Sequence, residues 1–125
     1  MDLNMKVLIV DDFATMRRIV RNILKQIGFK NIVEADDGKS ALKELKKTKI
    51  DLILCDWNMP EMPGIELLKA VRSDDELKDI PFVMVTAEAQ KDNIVEAVKS
   101  GVSNYVVKPF TAETINEKLS KVFDS

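Results

Sequence analysis

The 125 residues of this chain include no histidine. That absence excludes a Ser-His or Cys-His nucleophile, an imidazole metal ligand, a histidine general base and a phosphohistidine. Cysteine occurs once, at Cys55, so no internal disulfide can form. No apolar run exceeds four residues, far short of the roughly 20 that span a bilayer. Excess charge of either sign is also missing: 19 basic and 21 acidic residues leave a net charge of -2. A nucleic-acid binder working through bulk positive charge is disfavoured on that ground. The opening segment Met1-Asp2-Leu3-Asn4-Met5-Lys6 lacks the basic and long apolar regions of a secretory signal. The expectation is one cytoplasmic domain, residues 1-125, with no membrane and no nucleic-acid partner. Chemistry in such a chain must rest on carboxylates, lysine, tyrosine, hydroxyls or a bound cation.

What is present is a regular alternation. Val7-Leu8-Ile9-Val10, Ile32-Val33-Glu34-Ala35, Leu52-Ile53-Leu54-Cys55, Phe82-Val83-Met84-Val85 and Tyr105-Val106-Val107 are short and apolar, as buried strands are. Between them the apolar residues recur at helical spacing. The first helix sets Ile19, Val20, Ile23, Leu24 and Ile27 inward and stops at Gly28. The second runs from Ser40 to Lys47 on Leu42 and Leu45, and the third is marked by Ile65, Leu67, Leu68 and Val71. Ile94, Val95 and Val98 mark the fourth, ended by Gly101, and Ile115, Leu119, Val122 and Phe123 the fifth. Alternating strands and helices predict an α/β fold: a doubly wound, five-stranded parallel sheet flanked by five helices. Five such units suit the flavodoxin-like order 2-1-3-4-5, with a ligand site beyond the carboxyl ends of strands 1 and 3.

Asp11 and Asp12 follow strand 1, Asp56 follows strand 3, Thr86 follows strand 4 and Lys108 follows strand 5. Any one acidic residue at a strand end often only caps the next helix. The set is harder to explain that way, because the fold brings all of its members to one edge. Three carboxylates in one cleft repel, and one takes up a proton unless a cation intervenes. Mg²⁺ suits such a site, since it uses one or two carboxylates, keeps waters and leaves room for phosphate oxygens. A lysine and a hydroxyl aimed at the same point suit a phosphoryl group. The chemistry this permits is attack by a carboxylate on phosphorus, which needs no histidine on this chain.

Val10-Asp11-Asp12, Asp56 with Met59-Pro60 and Gly64, Thr86-Ala87 and Lys108-Pro109-Phe110 together resemble the receiver domain of two-component response regulators. The resemblance covers essentially the whole chain. The stretches Asp11 to Asn22, Asp56 to Pro60 and Tyr105 to Phe110 resemble the chemotaxis members of that family more narrowly. It implies that Asp56 is phosphorylated, and that Asp11, Asp12, Asp56 and the Asn58 carbonyl hold Mg²⁺. It implies that Thr86 and Lys108 bind the phosphoryl group, that Tyr105 swings inward as Thr86 moves, and that Lys108-Pro109 is a cis peptide. Lys91, Ile94, Tyr105, Val107 and Lys118 would form an output face, with Trp57 and Glu88 beside the site. The implied partners are a chemotaxis-type histidine kinase and a flagellar motor switch protein, with room for a dedicated phosphatase, around a monomer. The chain ends at Ser125, just after the fifth helix, so the expectation is a receiver without an output domain.

Two positions depart from the family pattern. Pro63 stands where an acidic or amide residue is usual, and Ala14 where a serine is common, leaving Asp12 or Thr15 to cap the first helix. Trp57 reads as a half-exposed lid, Cys55 as buried and inert, and Arg17, Arg18 and Arg21 as a solvated face. A phosphorelay intermediate is the main rival within the fold. A phosphatase working through an aspartyl phosphate usually has a second acid two residues after its nucleophile, where this chain has Asn58. A flavodoxin-like electron carrier would need a hydroxyl- and glycine-rich loop after strand 1, where this chain has Asp11-Asp12-Phe13.

Overall fold

A computed structural model describes residues Met1–Asp124. The elements are β1 (Lys6–Val10), α1 (Ala14–Ile27), β2 (Asn31–Ala35), α2 (Gly38–Lys47), β3 (Leu52–Cys55), α3 (Gly64–Ser73), β4 (Phe82–Thr86), α4 (Lys91–Lys99), β5 (Asn104–Val107) and α5 (Ala112–Phe123). The strands form one parallel sheet in the order β2-β1-β3-β4-β5, as the alternation predicts.

Successive strand residues point to opposite faces, so each apolar run feeds two cores. Leu8, Val10, Ile53, Cys55, Phe82 and Met84 pack toward Ala41 and Leu45 of α2 and Leu67, Leu68 and Val71 of α3. Val7, Ile9, Leu52, Leu54, Val83, Val85 and Val106 pack toward Val20 and Leu24 of α1 and Ile115 and Leu119 of α5. The ladder also sets the functional edge. Val10 pairs with Cys55, and the Asp56 N–H donates to the Val10 carbonyl at 2.9 Å, which puts Asp11 beside Asp56. Thr86 pairs with Val107, and the Lys108 N–H donates to the Thr86 carbonyl at 2.9 Å.

Two helices differ from their sequence reading. Ile19, expected inward, is 42% exposed, because α1 meets the sheet along Val20 and Leu24 and a neighbour one step round the helix falls outside that line. In α4, Val95 and Val98 are exposed and Ile94 is half-buried; only Ala97 is fully buried. A small alanine lets this nine-residue helix sit on the sheet, and its larger apolar side chains turn outward. The first helix also lacks its expected cap. Phe13 occupies the N-cap position without a side-chain bond, and the Asp11 carboxylate accepts the Phe13 N–H at 2.9 Å.

Gly64 opens α3 and closes the loop that follows Asp56. Its N–H donates to the Trp57 carbonyl at 2.8 Å. A Cβ here would lie 2.2 Å from the Asp56 carbonyl oxygen, a backbone atom with nowhere to go. Gly38 is a useful contrast, because a Cβ there would meet only the flexible side chain of Met62. Gly64→Ala is expected to lower unfolding free energy by about 3 kcal/mol in urea titrations, with Gly38→Ala losing less.

Candidate functional site

Among the described residues, Asp11, Asp56 and Thr86 are the buried polar side chains, and all three lie at the carboxyl edge of the sheet. Asp12 joins them from an exposed position. Carboxylate oxygens of Asp11, Asp12 and Asp56 lie within 4.8 Å of one another. Lys108 reaches in from the end of β5, its Nζ 3.5 Å from Asp11 Oδ2 and 3.9 Å from Asp56 Oδ2. Both separations exceed a direct hydrogen bond, so the lysine balances the cluster as a charge. Burial pushes the Asp11 carboxyl above the ordinary carboxylate range, and the neighbouring Asp56 and Asp12 charges add to this. The Phe13 N–H and Lys108 oppose the rise without cancelling it. One lysine against three carboxylates leaves an all-oxygen site with surplus negative charge, and that donor set fits a hard divalent cation.

The loop after β3 shapes the rest. Asp56 Oδ1 accepts the Trp57 N–H at 2.8 Å, and its other oxygen is the one nearest Lys108. Asn58 is exposed two residues further on. Trp57 corrects its sequence reading: it is 9% exposed and belongs to the core cluster with Met59 and Ile65, where its large apolar area is better hidden than held as a lid. It therefore adjoins the site as part of the core and presents little outward surface. Cys55 is buried as expected, its thiol donating to the Asp56 carbonyl at 3.1 Å, and burial raises its pKa well above the ordinary value. Pro63 takes the N-cap position of α3, where its carbonyl accepts the Glu66 N–H and no donor is required of it.

A second group links the site to a flank. Thr86 is fully buried, and its Oγ1 accepts the Glu88 N–H at 3.1 Å. The Glu88 carbonyl in turn accepts the Tyr105 hydroxyl at 2.7 Å. Thr86, the Glu88 backbone and Tyr105 thus form one connected path along the β4–α4 loop. Around it, Lys91 and Val107 are exposed, and Ile94, Glu88, Tyr105 and Lys118 are half-buried. Val98, not among the residues read as functional, is the most exposed large apolar side chain on α4 at 63%. The Lys108-Pro109 bond is cis.

The sequence reading missed Arg17. Expected on a solvated face, its side chain is 18% exposed and donates to the Asp11 carbonyl at 2.6 Å and to Glu34 at 3.1 Å. Its partner Glu34 is 17 residues away on β2, so no local spacing could have signalled the pairing.

Tyr105 is the chain's one tyrosine, so a titration of tyrosinate absorbance reads this site alone. Burial, with the charges of Glu88 and Asp56, pushes its pKa up from 10.0 to about 12. The unfolded chain releases this proton first, so the Tyr105 contribution to stability falls as pH rises from 10.0 toward about 12. The expected midpoint of the folded protein is about 12; a midpoint near 10.0 would place the ring outside the Glu88 contact.

Residues 7–120 match the family model described as the response regulator receiver domain. The chemotaxis protein CheY-3 of Vibrio cholerae serotype O1 is 59% identical over 121 residues, covering 97% of this chain and 93% of that protein. The chemotaxis protein CheY of Pseudomonas aeruginosa is 57% identical over 120 residues, covering 96% of this chain and 97% of that one. Among solved structures, Vibrio cholerae CheY4 superposes with a TM-score of 0.89 at 37% identity, over 96% of this chain and 99% of that one. CheY is itself a familiar example of the 2-1-3-4-5 strand order. A receiver domain of a Syntrophus aciditrophicus signal transduction histidine kinase follows at a TM-score of 0.86 and 25% identity, over 96% and 90% of the two chains. With its acidic cluster at the carboxyl edge of the sheet and a lysine beside it, this chain belongs to the response regulator receiver family.

Proposed function

We propose that the chain is a single-domain, phospho-accepting response regulator of chemotaxis, acting in the cytoplasm. The observation that carries this reading is the meeting of Asp11, Asp12 and Asp56 within 4.8 Å, with Lys108 at their edge. Asp56 is the acceptor. One of its carboxylate oxygens attacks phosphorus, a new P–O bond forms, and the bond from phosphorus to the donor breaks and leaves its electron pair on the donor. The donor is a phosphohistidine on a chemotaxis-type kinase or a small acyl phosphate. Asp11, Asp12, Asp56 and the Asn58 carbonyl are the groups that would hold Mg²⁺, which would supply the charge that screens the nucleophile from the phosphoryl oxygens.

The chain's own groups do the rest. Lys108 stands close enough to turn from Asp11 and Asp56 to a phosphoryl oxygen. Thr86 donates its hydroxyl proton to another, which draws on the Glu88 loop and the Tyr105 contact. Movement along that path repopulates the face formed by α4, β5 and α5, including Lys91, Ile94, Tyr105, Val107 and Lys118. The proposed partner of that face is a flagellar motor switch protein, and a phosphatase can return the domain to its resting state. Relatives at 57% to 59% identity carry chemotaxis names, which favours this output over a phosphorelay.

The test is binding of the full chain to a motor switch protein from the same cell. It is run in Mg²⁺ with and without beryllium fluoride, a phosphoryl mimic, following Trp57 emission. Binding is expected to strengthen about tenfold or more with the mimic, a coupling of roughly 1.4 kcal/mol. Lys108→Arg should retain Mg²⁺ binding and lose most of that gain, since a guanidinium fork does not replace a compact ammonium. Binding that ignores the mimic in the wild-type protein would contradict the motor output.

A further inference from the structure

We propose that Arg17 is a positioning residue for the metal site, and that Glu34 and Arg21 hold it there. Arg17 reaches back from the first turn of α1, and its Nη1 donates to the Asp11 carbonyl at 2.6 Å. That carbonyl belongs to the peptide bond between Asp11 and Asp12, two of the three residues in the acidic cluster. A peptide is planar, so fixing the direction of its carbonyl fixes the plane that carries the Cα atoms of Asp11 and Asp12, and so narrows where their carboxylates can start from.

The Asp11 carboxylate accepts the Phe13 N–H at 2.9 Å, and the carbonyl of the same residue is held separately. The Asp11 N–H still belongs to the sheet, donating to the Ala35 carbonyl at 3.2 Å. The first helical bond of α1 begins at the Phe13 carbonyl, which accepts the Arg17 N–H at 3.1 Å. The Asp11–Asp12 peptide lies between strand and helix, and the carbonyl partner there is a side chain. Arg17 therefore grips the β1–α1 junction twice, by its backbone at Phe13 and by its guanidinium at Asp11.

The guanidinium is itself held. Its Nε donates to Glu34 Oε1 at 3.1 Å, while Arg21 Nη1 donates to Glu34 Oε2 at 2.7 Å. Both oxygens of one carboxylate are thus engaged, from two arginines one helical turn apart. Ion pairs this exposed add at most about 1 kcal/mol to stability. Their consequence here is geometric: the planar fork of Arg17 is aimed by Glu34 from β2, the strand next to β1. Residues that orient metal ligands without touching the metal commonly affect affinity as much as 10- to 100-fold.

The inference rests on the metal reading above, and charge and geometry give it opposite signs. Arg17 is a cation near a cation site. Acting through charge alone, its loss would tighten Mg²⁺ binding; acting as a positioning group, its loss weakens it. The experiment titrates Mg²⁺ into full-length wild type, Arg17→Lys and Arg17→Ala, read by calorimetry and Trp57 emission, with thermal unfolding in chelator to verify folding. Arg17→Lys keeps the charge and loses the fork. It is expected to raise the Mg²⁺ dissociation constant about tenfold, with Arg17→Ala weakening at least as much. An unchanged constant in Arg17→Lys together with tighter binding in Arg17→Ala would overturn the inference. If the wild-type chain itself binds no Mg²⁺, the metal reading fails first, and this inference falls with it.

Discussion

The structure turns on the mutual repulsion of Asp11, Asp12 and Asp56. Two of these are almost wholly buried, and one lysine stands beside those two. Burial is the main cause that raises the Asp11 carboxyl above its ordinary range, and the Asp56 and Asp12 charges add to it. Native folds accept such strain where a site needs it, and here the rest of the molecule holds it in place. The apolar strands fix the backbone on either side of Asp11 and Asp56. Gly64 lets the loop after Asp56 fold back onto its own backbone. On the proposed reading, a cation and a phosphoryl group would each alter the charge balance of this cleft.

Thr86 stands at the same edge of the sheet, and hydrogen bonds join it to Tyr105. The path runs by hydrogen bonds of 3.1 Å and 2.7 Å through the backbone of Glu88. On the proposed reading, a change at Thr86 would reach the flank as a displacement of one loop. That flank is also where α4 fails to bury its apolar side chains. Val95 and Val98 stand exposed while only Ala97 is fully buried. A helix seated on a single small residue is easier to shift than one locked by several large ones. Its exposed valines supply the apolar surface a partner would cover.

Much of this was legible in the sequence because parallel strands buried on both faces read as continuous apolar runs. Val7 to Val10, Leu52 to Cys55 and Phe82 to Val85 are examples, and the site residues follow them directly. Gly28 and Gly101 marked helix ends correctly, and both adopt positive φ. The failures have a common cause. Periodicity reports which residues share a face, not how far that face is covered. Ile19, Val95 and Val98 fit the helical spacing, yet lie beyond the line of contact with the sheet. Trp57 and Arg17 were misread for the converse reason. Each is buried or held by a group distant in sequence: Trp57 by the core beneath the β3–α3 loop, Arg17 by Glu34 on β2.

Acceptance of a phosphoryl group at Asp56 is tested most directly by intact-mass spectrometry. The full chain is incubated with Mg²⁺ and a small acyl phosphate, beside Asp56→Asn and a chelated control. The expected result is one phosphoryl adduct on the wild-type chain and, in a parallel sample, reduction of the acyl phosphate by borohydride, which releases phosphate and leaves homoserine in place of Asp56; neither control shows either product. Stable incorporation in Asp56→Asn, or a wild-type chain that stays unmodified with Mg²⁺ present, would contradict the assignment.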